Sequence, residues 1–181
     1  MNLRKNSIDN TGKKVHVELG CGNNRRDIEG WVNIGIDIEK GHLVDHICNL
    51  GFDDIPLDTS SVDLVQAVDV VEHIPKCAWI KNDEGRVDRL LPLVHLMNEI
   101  YRILKPNGEF YMEIPYGEWG YRRDPTHVTQ LSDDWFHYFQ PHDNLYWDQG
   151  IVKCNFKVKE HRLKGWKHLD DIMVSKVVAV K

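Results

Sequence analysis

No stretch of this 181-residue chain approaches the roughly 18 uninterrupted apolar residues that a membrane-spanning helix needs. The first fourteen residues, MNLRKNSIDNTGKK, lack the apolar core of a signal peptide, so 1–14 reads as a flexible arm. Basic residues are not in excess. Lys and Arg total 23 against 28 Asp and Glu, and a net charge of −5 gives no bulk attraction to nucleic acid or to an anionic membrane. Arg122–Arg123 is the one local basic pair. The four cysteines, Cys21, Cys48, Cys77 and Cys154, show neither a C-x-x-C nor a zinc spacing. Reduced thiols in a cytoplasmic protein are the simplest account, with a Cys21–Cys48 disulfide as the alternative. Of ten histidines, His42 and His46 stand four apart, but no third ligand stands with them, so no metal site is expected.

What is present begins with Val15–Asn24, VHVELGCGNN. A short apolar run bounded by turn residues reads as a buried parallel strand. Gly20-Cys21-Gly22 follows at once, and two glycines one residue apart let backbone approach a ligand with no Cβ in the way. A doubly wound sheet binds nucleotides at such a place, outside the carboxyl end of its first strand. The next apolar run, Trp31–Ile38, carries Asp37 at the tip of the second strand, 19 residues after Glu18, which suits a ribose hydroxyl pair. A dinucleotide fingerprint also requires a third glycine three residues after the second; that position is Arg25. What stands instead is acid-x-G-x-G, with Glu18 inside the strand. A carboxylate there can receive an amino-acid ammonium, which S-adenosylmethionine has and NAD lacks. The alternative is an ordinary tight turn with Asp37 as a helix cap.

VELGCGNN, GWVNIGIDIE, SSVDLVQAVDVVEHIP and YRILKPNGEFYMEIP, in that order, resemble the class I S-adenosylmethionine-dependent methyltransferases, and most closely the methyltransferase type 11 group. The resemblance spans Val15 to about Pro115. A further element, RRDPTHVTQLS, is similar to the D-P-T-H tail of one subgroup. It implies a Rossmann-like, doubly wound α/β fold with a mostly parallel seven-stranded sheet and a C-terminal antiparallel hairpin, in one domain over 15–181. It also implies S-adenosylmethionine as cofactor and S-adenosylhomocysteine as product. The cofactor-binding residues would be Glu18, Gly20, Cys21, Gly22, Asp37, Ile38, Asn49, Leu50 and Asp69. Asn49 stands where the family usually places an adenine-binding aspartate; an amide can serve there, and the alternative is a residue that caps or turns the chain. His73 matches the histidine of the family's E-H-[IVL] element, near the methionine end of the cofactor.

Two nucleobase chemistries lose ground. Asp69-Val70-Val71 replaces the N/D-P-P-Y/F element that holds a base amine, and Cys77 follows Lys76 where a cytosine-carbon nucleophile would follow proline. The leading expectation is a small-molecule acceptor methylated on oxygen or nitrogen by direct in-line transfer; the alternatives are an idle cofactor-binding partner protein, a nucleotide-binding oxidoreductase, which the missing third glycine counts against, and a protein or RNA acceptor. Residues 115–149 form the expected acceptor side. Tyr116, Arg122, Arg123 and Asp124 are the substrate-binding candidates, since arginine pairs suit a carboxylate or phosphate. His73 and His127 are the candidate bases, since an imidazole can take a proton from a hydroxyl or amine. For Asp124 the structural alternative is an Asx turn, and for Glu72–His73 it is orientation of the following chain. A homodimer is left open.

Among the remaining elements, the third strand reads from Leu43–Leu50, the fourth from Val62–Val70, apolar on both faces as a central parallel strand should be, and the fifth from Glu109–Ile114. Leu90, Leu93, Val94, Met97, Ile100, Tyr101 and Leu104 give helical spacing over Asp88–Leu104, and with Pro92 as a first-turn proline the firm helix is expected over Leu93–Leu104. Lys76–Val87 reads as a polar loop or lid, and Asn24–Gly30 has room for one helical turn at most. Phe156–Leu163 and Ile172–Val180 read as the closing hairpin around a turn at Gly165–Asp170.

Overall fold

The computed structural model describes residues 12–141, 145–166 and 169–181. All but the last three residues of the expected arm lie outside them, as does part of the Gly165–Asp170 turn. The strands are β1 (Val15–Leu19), β2 (Val32–Asp37), β3 (His46–Ile47), β4 (Val62–Val68), β5 (Ala78–Lys81), β6 (Val87–Leu90), β7 (Leu104–Pro115), β8 (Phe156–Trp166) and β9 (Leu169–Ala179). The helices are α1 (Pro92–Ile103), α2 (Gly117–Arg122) and α3 (Leu145–Asp148), with 3-10 turns at Val71–His73 and Trp135–Phe139.

Seven strands form one sheet in the order β3-β2-β1-β4-β7-β9-β8. The first five run parallel, and β9 pairs antiparallel with both β7 and β8. The strand order reverses at β1 and β4, and ligands bind outside the carboxyl ends of strands at such a switch point. The sheet and its closing hairpin are the expected ones. The main core lies on one face, where Val17, Leu19, Val65, Ala67, Phe110 and Met112 meet Leu96, Met97 and Ile100 of α1 and the ring of Phe136. Pro92 begins α1, where its missing N–H costs nothing. Much of the aromatic content of 115–149 serves this core: Trp135, Phe136 and Phe139 are all buried.

The opposite face is built differently. Among the described residues no helix links β1 to β2, β2 to β3 or β3 to β4. The β1–β2 connection instead lies over the polar residues of β1, which alternate with its apolar ones. Glu18 accepts from the amide of Arg26 and, at 2.9 Å, from its guanidinium. His16 and the backbone of Ile28 bond to the Asn33 side chain. An irregular connection leaves backbone groups that a helix would satisfy internally, and these side chains satisfy them. The same device holds the loop before β4. Glu99 of α1 is buried, accepts from the Ile55 amide at 2.8 Å and pairs with Arg102, whose guanidinium donates to the carbonyls of Ile55 and Leu57.

Three expectations are corrected. Lys76–Val87 is no plain loop, because β5 and β6 pair as a separate antiparallel hairpin closed at Asn82–Gly85, which also takes Asp88–Leu90 out of the helical pattern. The third strand shrinks to two residues. Beside it the Asp45 carboxylate, not a backbone carbonyl, accepts from the Gly35 amide at 2.8 Å. The fourth strand is not buried on both faces: Leu64, Gln66 and Val68 are half-buried, facing a shallow depression shared with Tyr111 and Glu113.

Candidate functional site

The chain leaving β1 makes a left-handed turn at Gly20 (φ 64°) and again at Gly22 (φ 49°). A Cβ on Gly20 would overlap the Val70 side chain, so the glycine is required by a close approach as well as by its φ. Asp37, at the end of β2, closes the turn from the other side. One of its oxygens accepts from the Gly22 amide at 2.7 Å; the other accepts from Ile38 at 2.7 Å and Glu39 at 3.3 Å. Asn49 and Leu50 follow β3. The backbone of Asn49 turns through hydrogen bonds with Phe52 and Asp53, and its side chain faces the cleft. Asp69, just past β4, adopts φ 55°, uncommon for a residue with a side chain and frequent at functional sites.

These residues wall a cleft of about 260 Å³ at the switch point. Of the expected cofactor set, Gly20, Asp37, Ile38, Asn49, Leu50 and Asp69 line it, together with His73. Gly22 sits behind Asp37. Glu18 lies elsewhere, on the opposite face of the sheet with its carboxylate committed to Arg26. Cys21 is buried, its thiol turned toward the Leu43 carbonyl, and burial together with the charges of Asp37 and Glu18 raises its pKa. All four cysteines are free.

A second cavity of about 450 Å³ abuts the first and shares Asp69 and His73 with it. Its other walls are Glu72, Pro115, Gly120, Arg123, Asp124 and His127. Two distant chain segments are stitched together here: the backbone carbonyl of Glu72 accepts from the amides of Val128 and Thr129, and the Thr129 hydroxyl donates to the Ile74 carbonyl. Of the expected acceptor-side residues, Arg123 and Asp124 line this cavity. Arg122 pairs with Glu118 on the surface, and Tyr116 packs against the core. Asp124 does make the Asx-type bonds to the amide and hydroxyl of Thr126, which hold its carboxyl below the usual range.

The polar heart of the second cavity is Glu72, His73 and His127. The two imidazoles meet edge to face with ring centres 4.9 Å apart. Glu72 is 1% exposed, and neither of its carboxylate oxygens has a hydrogen-bond partner among the described residues. Burial, with the nearby charges of Asp69 and Asp124, raises its pKa to about 7 against an opposing pull from the nearby Glu72 and Val70 backbone amides, neither of which bonds to it in good geometry. The sequence reading gave Glu72 only an orienting role. Its signal, an acid between a buried valine and His73, was legible, but its meeting with His127 depends on the tertiary fold.

No protein-family model matches the chain, and no curated protein matches its sequence. Solved structures do match. An S-adenosylmethionine-dependent methyltransferase from Methanosarcina mazei aligns with a TM-score of 0.56 at 13% identity over 93% of both chains. The phosphoethanolamine N-methyltransferase 1 of Haemonchus contortus, solved with phosphoethanolamine and S-adenosylhomocysteine, aligns with a TM-score of 0.58 at 13% identity, over 93% of this chain and 39% of its own. A chain from a complex of the Haloferax volcanii Trm112 methyltransferase activator with a candidate methyltransferase gives 0.55 at 17% identity, over 93% of this chain and 84% of its own. With the switch-point cleft and the 3-2-1-4 strand order capped by an antiparallel hairpin, these likenesses establish that the chain has the class I S-adenosylmethionine-dependent methyltransferase fold.

Proposed function

We propose that this protein transfers a methyl group from S-adenosylmethionine to an oxygen or nitrogen of a small-molecule acceptor. The observation that carries the reading is the pair of abutting cavities with Asp69 and His73 as their common wall. One cavity has the features a nucleoside with an amino-acid tail needs: a glycine approach free of Cβ atoms, a carboxylate at the tip of β2 and an amide after β3. The other is large enough for a small acceptor.

S-adenosylmethionine, when bound, supplies a sulfonium methyl already activated for attack, with a neutral thioether as leaving group. The chain's own task is then mostly orientation. Asp37 would bind the ribose hydroxyls while its backbone bonds keep the glycine turn in place. Asn49 would read the adenine edge. Arg123 offers a charge-assisted pair to a carboxylate or phosphate on the acceptor. Glu72, His73 and His127 face the acceptor's nucleophilic atom and activate it.

Calorimetric titration with S-adenosylmethionine and with S-adenosylhomocysteine tests the cofactor half. Both should bind in the micromolar range, and Asp37→Ala should abolish binding of each. A radiolabelled-methyl screen of carboxylate-, phosphate- and sugar-bearing metabolites then tests the acceptor half. No binding of either cofactor form at millimolar concentration would refute the proposal.

A further inference from the structure

We propose that Glu72, His73 and His127 form a binding site for one divalent transition-metal ion in the wall of the acceptor cavity. Each of the three offers one ligand atom, and these atoms lie within 4.8 Å of one another. Glu72 Oε1 stands 4.0 Å from His127 Nε2. That is too long for a hydrogen bond. It suits two ligands of one ion, which at bond lengths of about 2.0–2.2 Å stand roughly 3–4 Å apart.

The surroundings point the same way. Both oxygens of Glu72 are buried without a partner among the described residues, and a buried ionised carboxylate is costly unless a cation meets it. Asp69 and Asp124 add negative charge to the same cavity, against which Arg123 is the one arginine or lysine on its lining among the described residues. The histidines are oriented as ligands are. His73 Nδ1 lies 3.2 Å from the Thr126 carbonyl and 3.1 Å from its hydroxyl. That hydroxyl donates to Asp124 at 2.5 Å, so toward His73 it accepts, and we assign the His73 proton to Nδ1. His127 Nδ1 lies 3.2 Å from the Tyr121 carbonyl and donates to it. Each Nδ1 proton is thus occupied, and each Nε2 keeps its lone pair. Fixing the tautomer through the distal nitrogen is what outer partners of metal-bound histidines do.

Two imidazoles and one carboxylate select zinc, iron, manganese or cobalt over magnesium and calcium, which prefer oxygen ligands. Three protein ligands leave further positions open toward the cavity, where an acceptor oxygen or nitrogen would be held and acidified. That use of the ion rests on the methyl-transfer reading; the site itself does not. No local spacing announces this site, because His127 reaches Glu72 and His73 only through the tertiary fold.

The test is titration of chelator-stripped protein with Zn2+ in the absence of S-adenosylmethionine, paired with the absorption spectrum of the Co2+ form. One equivalent should bind at micromolar affinity or tighter, and Co2+ should show ligand-field bands. Glu72→Gln and His127→Ala should each weaken binding about 100-fold or more. Thr126→Ala, which removes only the hydroxyl behind His73, should cost about 10-fold, and His42→Ala, at an exposed position, should change nothing. Melting curves of the stripped variants confirm folding, and Glu72→Gln should melt no lower than the parent. Binding absent, or unchanged within threefold by Glu72→Gln and His127→Ala, would overturn the proposal. If zinc fails while the cofactors bind, only the metal site falls; if zinc binds while the cofactors fail, only the methyl-transfer reading does.

Discussion

Replacing Glu99 by alanine should unfold this protein more easily than any loss of apolar area at that position would suggest. Glu99 accepts two hydrogen bonds from Arg102, at 2.8 and 2.7 Å, and one from the Ile55 amide at 2.8 Å. Its side chain is 9% exposed and that of Arg102 31%. Removing one member of a buried pair costs about 3–5 kcal/mol, mostly by stranding the partner. Arg102 keeps the carbonyls of Ile55 and Leu57 and is partly hydrated, so the lower end, about 3 kcal/mol, is expected here. Against a domain stability of about 5–15 kcal/mol, that is a large fraction. Urea unfolding followed by tryptophan fluorescence measures it, with the slope unchanged so that the midpoint alone reports stability. Glu99→Gln keeps an acceptor for the Ile55 amide and should lose less. Burial pushes the Glu99 carboxyl up, but the Arg102 and Ile55 bonds outweigh it and hold the carboxyl below its ordinary value. Its stabilisation is therefore complete above the unfolded value, near pH 4.3, and is lost as pH falls below that toward the folded value. A loss under about 1 kcal/mol in Glu99→Ala, or parallel acid-unfolding curves for parent and variant, would refute this account of the loop before β4.

Three further outcomes are expected. Gly20→Ala forces a side chain into left-handed backbone and against Val70; it should lower the melting temperature and weaken S-adenosylhomocysteine binding at least tenfold by calorimetry. In a thiol-labelling assay Cys77, the one exposed cysteine, should react quickly. Burial raises the Cys48 thiol to about 11 and the Cys154 thiol to about 12, so these two should react only on unfolding. Arg26→Ala leaves the buried Glu18 carboxylate with the Arg26 amide alone and should destabilise the chain by about 1–3 kcal/mol in the same urea assay.

The parts of the fold that sequence revealed are those whose residues act through local pattern. The glycine turn, α1 and the antiparallel closure each announce themselves by spacing or by backbone-permissive residues. Strand β3 was overextended because Leu43, Val44 and Leu50 supply apolar character, whereas Asp45 takes the ladder bond with its side chain. The β5–β6 hairpin was missed because Trp79, Ile80 and Val87 are exposed, and an apolar residue without a buried face leaves no alternation to read. In the site, Asp37, Asn49 and Asp69 sit at strand ends, and strand ends are legible. Glu72 with His127 was not, since nothing local links them.

The stitching of Glu72 to Val128 and Thr129 has a consequence for how such a protein can change over evolutionary time. Every residue lining the switch-point cleft falls between Gly20 and Pro75, a contiguous third of the chain, and much of the second cavity's wall comes from later residues, held to Glu72–Ile74 by the Val128 and Thr129 amides, the Thr129 hydroxyl and the contacts of His73 with Thr126. On the methyl-transfer reading proposed above, substitutions in Arg123–His127 would therefore reshape the acceptor cavity while the switch-point cleft stays intact. The second cavity would then be the part of this architecture that changes most freely, and the switch-point cleft the part that changes least.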